Sequence, residues 1–154
     1  MAEKINNPQM TIDATDCIAG RMSSHVSKLL QQGYHVRIVN AEKTMLSGHR
    51  AKTIQMYKEF LEISSNTNPI HGPFHPRRPD RILTKMIRGM LPKRKSSGKT
   101  ALKRLRVYVS VPPELKNTKM ESFEDSKIRK PPSYFVTLGE VAKEIGWNGR
   151  DNYE

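Results

Sequence analysis

Two spacings in this 154-residue chain are of kinds that do chemistry elsewhere. Ser97-Gly98-Lys99-Thr100 has the ending of a phosphate-cradling loop, G-x-x-x-x-G-K-[ST], but Lys93 stands five before Gly98 where that loop needs glycine. The context differs too, because a proline-ended helix and a cationic loop are expected before it rather than a strand. His71 and His75 are four apart, a spacing that binds zinc when both lie on one helix face. Gly72 and Pro73 between them break any helix, and no second ligand pair is in view. Hydrolysis would call for a carboxylate pair or a nucleophile beside a base, yet this region holds a single acid, Asp80, which is expected to cap a helix. The lone Cys17 excludes an internal disulfide and reads as core filler. No catalytic residue, metal or cofactor is therefore expected. A nucleotide-using enzyme is kept as a secondary reading, with saturable ATP binding as its test.

What the region does hold is charge. From His71 to Arg106 there are twelve cations and one acid, a local balance of +11, which leaves fifteen cations against fourteen acids elsewhere. Charge this concentrated creates a field that asks for a polyanion. The candidate contacts are Arg77, Arg78, Arg81, Lys85, Arg88, Lys93, Arg94, Lys95, Lys99, Lys103 and Arg104, with His71, Phe74 and His75 able to stack on bases. Residues by themselves do not separate RNA from DNA, nor a free-standing regulator from a component of a larger particle.

The elements that position these residues follow from periodicity and punctuation. Prolines 69, 73, 76 and 79 bias the segment that opens the stretch toward an extended arm. Asp80 then starts a helix in which Ile82, Leu83, Met86, Ile87 and Met90 share one side, while Arg81, Lys85 and Arg88 line another. Gly89 and Pro92 end it, Lys93 to Gly98 reads as a basic loop, and a short helical turn over 100–105 leads into a strand at 106–111. Without RNA, the arm and this loop are expected to be mobile. Upstream, residues 1–9 read as disordered and 10–12 as a strand. A helix over 17–32 ending at Gly33 and a strand over 35–39 complete a βαβ unit. Residues 42–46 offer a further strand, and Ser47 a cap for a helix over 48–61 with Ala51, Ile54, Tyr57 and Leu61 facing inward. Residues 114–135 read as a surface-hugging or disordered tail, and Thr137 with Glu140 forms a capping box for a last helix stopped by Gly146, with Trp147 as an anchor. The chain is thus expected to be one α/β domain. Its body is 10–66 with 100–111, its basic arm, helix and loop 69–99, and its C-terminal tail and helix 112–154. No transmembrane run or apolar signal core is present in the sequence, so a cytosolic location is expected.

Several of these residues carry a resemblance. Ile12-Asp13-Ala14 with Gly20-Arg21, Val39-Asn40-Ala41-Glu42, Ser47-Gly48, Gly72-Pro73-Phe74-His75, Arg88-Gly89-Met90-Leu91-Pro92, Gly98-Lys99 and Ala101-Leu102 together resemble the large-subunit ribosomal protein L-thirteen family over about 11–111 and 136–147. The Gly33-Tyr34 connection is short where bacterial members carry a longer insertion, and the Thr137-Leu-Gly-Glu tail is similar to archaeal and eukaryotic members, of which the archaeal branch is favoured. The resemblance implies a three-layer α/β/α fold around a small, mainly parallel sheet. It also implies binding to large-subunit ribosomal RNA during assembly, neighbouring ribosomal proteins as partners, a cytoplasmic place in the large subunit, and neither catalysis, cofactor, membrane nor small-molecule substrate.

Overall fold

The computed structural model describes residues 8–149. The disorder expected over residues 1–9 falls mostly outside that range, and within it Gln9 already belongs to the first strand. The chain runs β1 (Gln9–Asp13), α1 (Ala19–Gln31), β2 (His35–Val39), β3 (Met45–Ser47), α2 (Arg50–Glu62), α3 (Pro79–Met90), α4 (Ser96–Lys103), β4 (Leu105–Val107), β5 (Met120–Glu121), β6 (Phe135–Thr137) and α5 (Leu138–Glu144). Four strands form a parallel sheet in the order β4-β2-β1-β5, and β3 pairs antiparallel with β6. The expected mixed α/β body with a mainly parallel sheet is present.

Register decides what each face of the sheet does. Met10, Val36 and Leu105 are aligned, as are Ile12, Ile38 and Val107, so one face is apolar. Alternate positions align Thr11, Arg37 and Arg106 on the other face. The apolar face joins Met22, Val26 and Leu30 of α1, Ile82, Leu83 and Ile87 of α3 and Ala101 of α4 in one buried core. Burying a side chain such as Leu30 or Ile87 stabilises the fold by roughly 1.5–3 kcal/mol each, which anchors α3 and α4, the carriers of the cations.

The ends of α1 show how local chemistry sets its length. Asp13 accepts from the Thr15 amide and hydroxyl at 3.0 and 2.7 Å, and Asp16 takes a positive φ of 57°. The expected helix start at Cys17 is therefore replaced by a turn. Cys17 bridges to Lys127, Ile18 bridges to Met45 and gives its amide to Ser126 O, and the helix begins at Ala19. At the other end Gly33, at φ +101°, lets Gly33 N reach Leu30 O and Tyr34 N reach Leu29 O, the paired closure that a left-handed glycine permits.

Ser47 does not cap α2. It lies in β3 opposite Phe135, Gly48 turns the chain at φ +137°, and the helix starts at Arg50. Residues 41–43 form a 3₁₀ turn rather than the start of the expected strand. Ala51, expected to face inward, is exposed; Ile54, Tyr57 and Leu61 are half-buried, and Thr53 is the buried residue of α2. The tail is not disordered: it hugs the body through the Ile18–Ser126 and Ile128–Asp16 backbone bonds and supplies β5 to the sheet and β6 to β3. The last helix behaves as its sequence requires. Thr137 Oγ1 accepts the Glu140 amide at 3.2 Å, and Gly146 closes the end with Trp147 N bonded to Ala142 O.

Candidate nucleic-acid interface

The site is built on α3, whose sequence separates two faces. Ile82, Leu83 and Ile87 are buried while Arg81, Lys85 and Arg88 are exposed; Met86 is half-buried and Met90 is 43% exposed, so the apolar side reaches beyond the core. Pro79 occupies the first turn, where its missing N–H costs nothing. Asp80 is not the cap. Residue 78 holds that position, and the Asp80 carboxylate, inside the first turn, pairs with Arg78 Nε at 3.2 Å.

The arm that leads into α3 is fastened to the body. Its first residues, Pro69–His71, form a 3₁₀ turn capped by Asn68, whose side chain accepts from Ile70 N. His75 Nε2 lies 3.0 Å from Ile63 O at the end of α2, and Lys85 Nζ donates to Phe74 O at 3.0 Å. Arg77 lies against the end of α5, where a Cβ on Gly146 would come within 2.9 Å of its Nη1. These three ties replace the free arm the proline spacing suggested. His75 is engaged, with its ring edge-on to Phe60 at 5.5 Å, whereas His71 is exposed and Phe74 is 81% exposed. Among the described residues no group of three or more His, Cys, Asp or Glu could hold a metal ion.

Past Pro92, the expected loop over 93–98 is short. Lys93, Arg94 and Lys95 are exposed in a turn closed by Lys95 N on Pro92 O, and α4 begins at Ser96 instead of near Thr100. Gly98 is buried because a Cβ there would fall on the Pro92 carbonyl, which lets α4 lie directly on the chain leaving α3. Ser97-Gly98-Lys99-Thr100 thus lies in the first turns of α4, packed through Gly98 and entered from the 92–95 turn, and is not a strand-to-helix phosphate loop. Arg88, Lys93, Lys99 and Lys103 consequently line one groove, with Leu91 and Leu102 as its floor.

Arg104 stands apart from this group. Half-buried, it donates from Nη1 to Leu30 O at 3.1 Å and closes the end of α1. Arg106 does the same for α4, with Nη1 on Lys103 O and Leu105 O at 3.1 and 3.0 Å. Charge counting could not separate these two from their neighbours.

Ion pairing divides the surface. Among the described residues the pairs are Arg50–Glu140, Lys58–Glu144, Arg78–Asp80, Lys127–Glu124 and Arg129–Asp125. Arg81, Lys85, Arg88, Lys93, Lys99 and Lys103 are in none of them. What sets the α3–α4 face apart is the density of its cations, with Arg78–Asp80 as its one ion pair among the described residues.

Sequence reasoning missed a second recess, between α2 and α3, lined by Met56, Tyr57, Phe60, His75, Lys85 and Met86. Met56 and Phe60 are each 51% exposed. Burial pushes the Tyr57 phenol above its ordinary value, so it stays protonated. The signal in the sequence was a helix whose Met56 and Phe60, with Ile63 just past its end, had no reason to be apolar on an exposed side.

With this geometry in view, similarity to known proteins becomes informative. Residues 8–114 match the family model described as Ribosomal protein L13. The large ribosomal subunit protein uL13 of Methanosarcina barkeri is 45% identical over 137 residues, covering 88% of this chain and 96% of that protein. The uL13 proteins of Aeropyrum pernix and Saccharolobus solfataricus are 40% and 39% identical, over 92% and 97% of this chain and 92% and 100% of theirs.

Proposed function

The chain belongs to the ribosomal protein L13 family, and from that premise we propose that it binds large-subunit ribosomal RNA through the cations that α3 and α4 present. It is a structural protein of the large ribosomal subunit, as its relatives are, and not an enzyme. One observation carries the finer reading. Arg81, Lys85, Arg88, Lys93, Lys99 and Lys103 are gathered on α3, α4 and the turn between them, four of them around one groove, and none is paired with a carboxylate among the described residues. Unpaired cations held on two helices of one core and on the turn between them are ready for phosphates, and phosphate contacts supply most of the affinity of such complexes.

Shape supports RNA. Arg81, Lys85 and Arg88 occupy one stripe about 10 Å long, from a rise of about 1.5 Å per residue, and the groove at its end turns the row of cations onto α4. Such a bent, rigid row suits a folded backbone read by shape. In this reading Arg77, Arg78, Arg94 and Lys95 add peripheral phosphate contacts, and His71 and Phe74 meet bases. The same placement makes the protein a brace in subunit assembly, since it joins RNA segments and the neighbouring proteins around them.

The test is sedimentation of large subunits through high salt from cells expressing variants. Arg88, Lys93 and Lys99 changed together to Glu should remove the protein from the particle while the purified variant keeps its unfolding temperature. Lys116, Lys119 and Lys130 changed to Glu should leave it bound. Equal loss from both triple variants would refute the assignment of RNA binding to the α3–α4 face.

A further inference from the structure

We propose that the recess between α2 and α3 receives one unpaired base of the bound RNA, an inference that rests on the RNA-binding reading above. The recess holds about 240 Å³, and its walls are Met56, Tyr57, Phe60 and Met86, with His75 and Lys85 at its edge. Among the described residues no carboxylate lines it. Phe60 is half exposed although it sits in a helix, and two ties keep its surroundings in place: the edge-on His75 ring, itself bonded to Ile63 O, and Lys85 Nζ, 5.9 Å from the ring centroid and bonded to Phe74 O.

The occupant must match two properties at once. The walls call for an apolar, flat body, and the rim calls for negative charge, because Lys85 lines the recess and Arg81 lies one turn away on the same stripe, with no acid among the described residues paired to either. A nucleotide joins a stacking face to a phosphate in one unit. A protein segment entering the same recess would need an acidic flank beside its apolar residues. The base must be unpaired, because a base inside a duplex is stacked on both sides and cannot reach a recess between two helices. Lys85 links the recess to the cationic stripe, so a backbone following Arg81 to Arg88 passes its mouth. Stacking also explains why the walls carry few polar groups: it is indifferent to which base enters.

The experiment compares the full chain on two RNAs at fixed salt, a short perfect duplex and the same duplex carrying one bulged adenosine, with affinities read by fluorescence anisotropy. The wild-type protein should prefer the bulged RNA by roughly 5- to 150-fold, the span of single base–aromatic stacks. Phe60→Ala should erase that preference and Phe60→Tyr should keep it. Met56→Glu, which leaves the ring but puts an acid in the recess, should erase it too, and circular dichroism establishes that each variant is folded. A wild-type protein that binds both RNAs alike, or a Phe60→Ala variant that keeps the preference, overturns the proposal and leaves the recess to a protein partner. Changing Arg88, Lys93 and Lys99 to Glu should weaken both RNAs by a similar factor. If it weakens neither, the RNA-binding reading itself falls, and this inference falls with it.

Discussion

Replacing Gly89 or Gly98 by alanine is the same chemical change in two successive helices, and the structure requires opposite outcomes. Around Gly89, in the last turn of α3, a Cβ would meet nothing within 4 Å. Alanine there gains helix propensity and restricts the unfolded chain, worth about 0.5–1 kcal/mol. For a chain of this size that raises the unfolding temperature by about 1–4 °C. At Gly98 the same gain is available, but the Cβ would land on the carbonyl carbon and oxygen of Pro92, which are backbone and cannot swing aside. Overpacking of this kind costs about 1–3 kcal/mol, so after the helix gain the net loss is about 0–2.5 kcal/mol, a midpoint up to about 10 °C lower and in every case below that of Gly89→Ala. The only relief is for α4 to lift from Pro92, which carries Lys99 and Lys103 away from Arg88 and Lys93. RNA affinity should therefore fall at Gly98→Ala although no charge is removed, and stay unchanged at Gly89→Ala. Thermal unfolding followed by circular dichroism gives the first comparison and RNA filter binding the second. If Gly98→Ala proves as stable as Gly89→Ala, α4 does not rest on Pro92, and the groove built from that contact is wrong.

Arg104 and Lys103 should separate stability from binding. Arg104→Ala loses the bond to Leu30 O and should cost about 1 kcal/mol, after allowance for partial exposure, with little change in the salt dependence of RNA binding. Lys103→Ala should change stability by less than about 0.5 kcal/mol and lower the slope of log affinity against log salt by about 0.7–0.9. Denaturant unfolding and salt titrations read the two, and an interchange of the two patterns would refute both roles. Asp13 sets a pH dependence. Burial pushes its carboxyl up, but hydrogen bonds from Asn40 and Thr15, with the charge of Lys43, outweigh this and hold it below 3.8. A depressed carboxyl adds stability above its unfolded value, and that stability is lost as pH falls through the folded one. The stability gap between wild type and Asp13→Asn should thus be full at neutral pH and close below about pH 4. Urea titrations across that range check this, and a gap that does not vary with pH would rule it out.

What was legible in the sequence was whatever a single element decides for itself. Gly33 and Gly146 stop their helices with the bonds their positions require, and Thr137 caps α5 as its spacing from Glu140 demands. The two sides of α3 follow from periodicity alone. Elements set by partners were not legible. β5 is two residues long and exists because Met120 and Glu121 meet Thr11 and Ile12; nothing in Met-Glu prefers a strand. Ser47 is as good a helix cap as any serine until β6 claims its backbone. The start of α4 was missed because Lys-Arg-Lys-Ser-Ser-Gly reads as a loop, and only Gly98 lying against Pro92 makes it a helix. For the site, residue types pointed to a polyanion and the resemblance chose RNA. The recess at Phe60 needed two helices and the arm placed together, which no local pattern encodes.

The missed helix matters for mechanism because it changes what the free protein holds ready. Lys93, Arg94, Lys95 and Lys99 in a flexible segment would relieve their repulsion by spreading, and RNA would have to collect them at a cost in entropy for each ordered residue. The burial of Ala101 instead fixes Lys99 on α4, beside the α3 cations held by Ile82, Leu83 and Ile87, and the closed turn over 92–95 carries Lys93 to Lys95 between them, so that cost is met when the body folds. The repulsion stays, since the acid that stands beside them, Asp80, is paired with Arg78. Acids beside Arg88 or Lys99 would steady the free protein and then compete with phosphates for the same cations. The arrangement found is the one in which the core bears the strain of the charges, and phosphate contact relieves it. RNA should accordingly stabilise the chain by more than its contacts with an uncharged surface of equal area could, and this excess should shrink as salt screens the cations from one another.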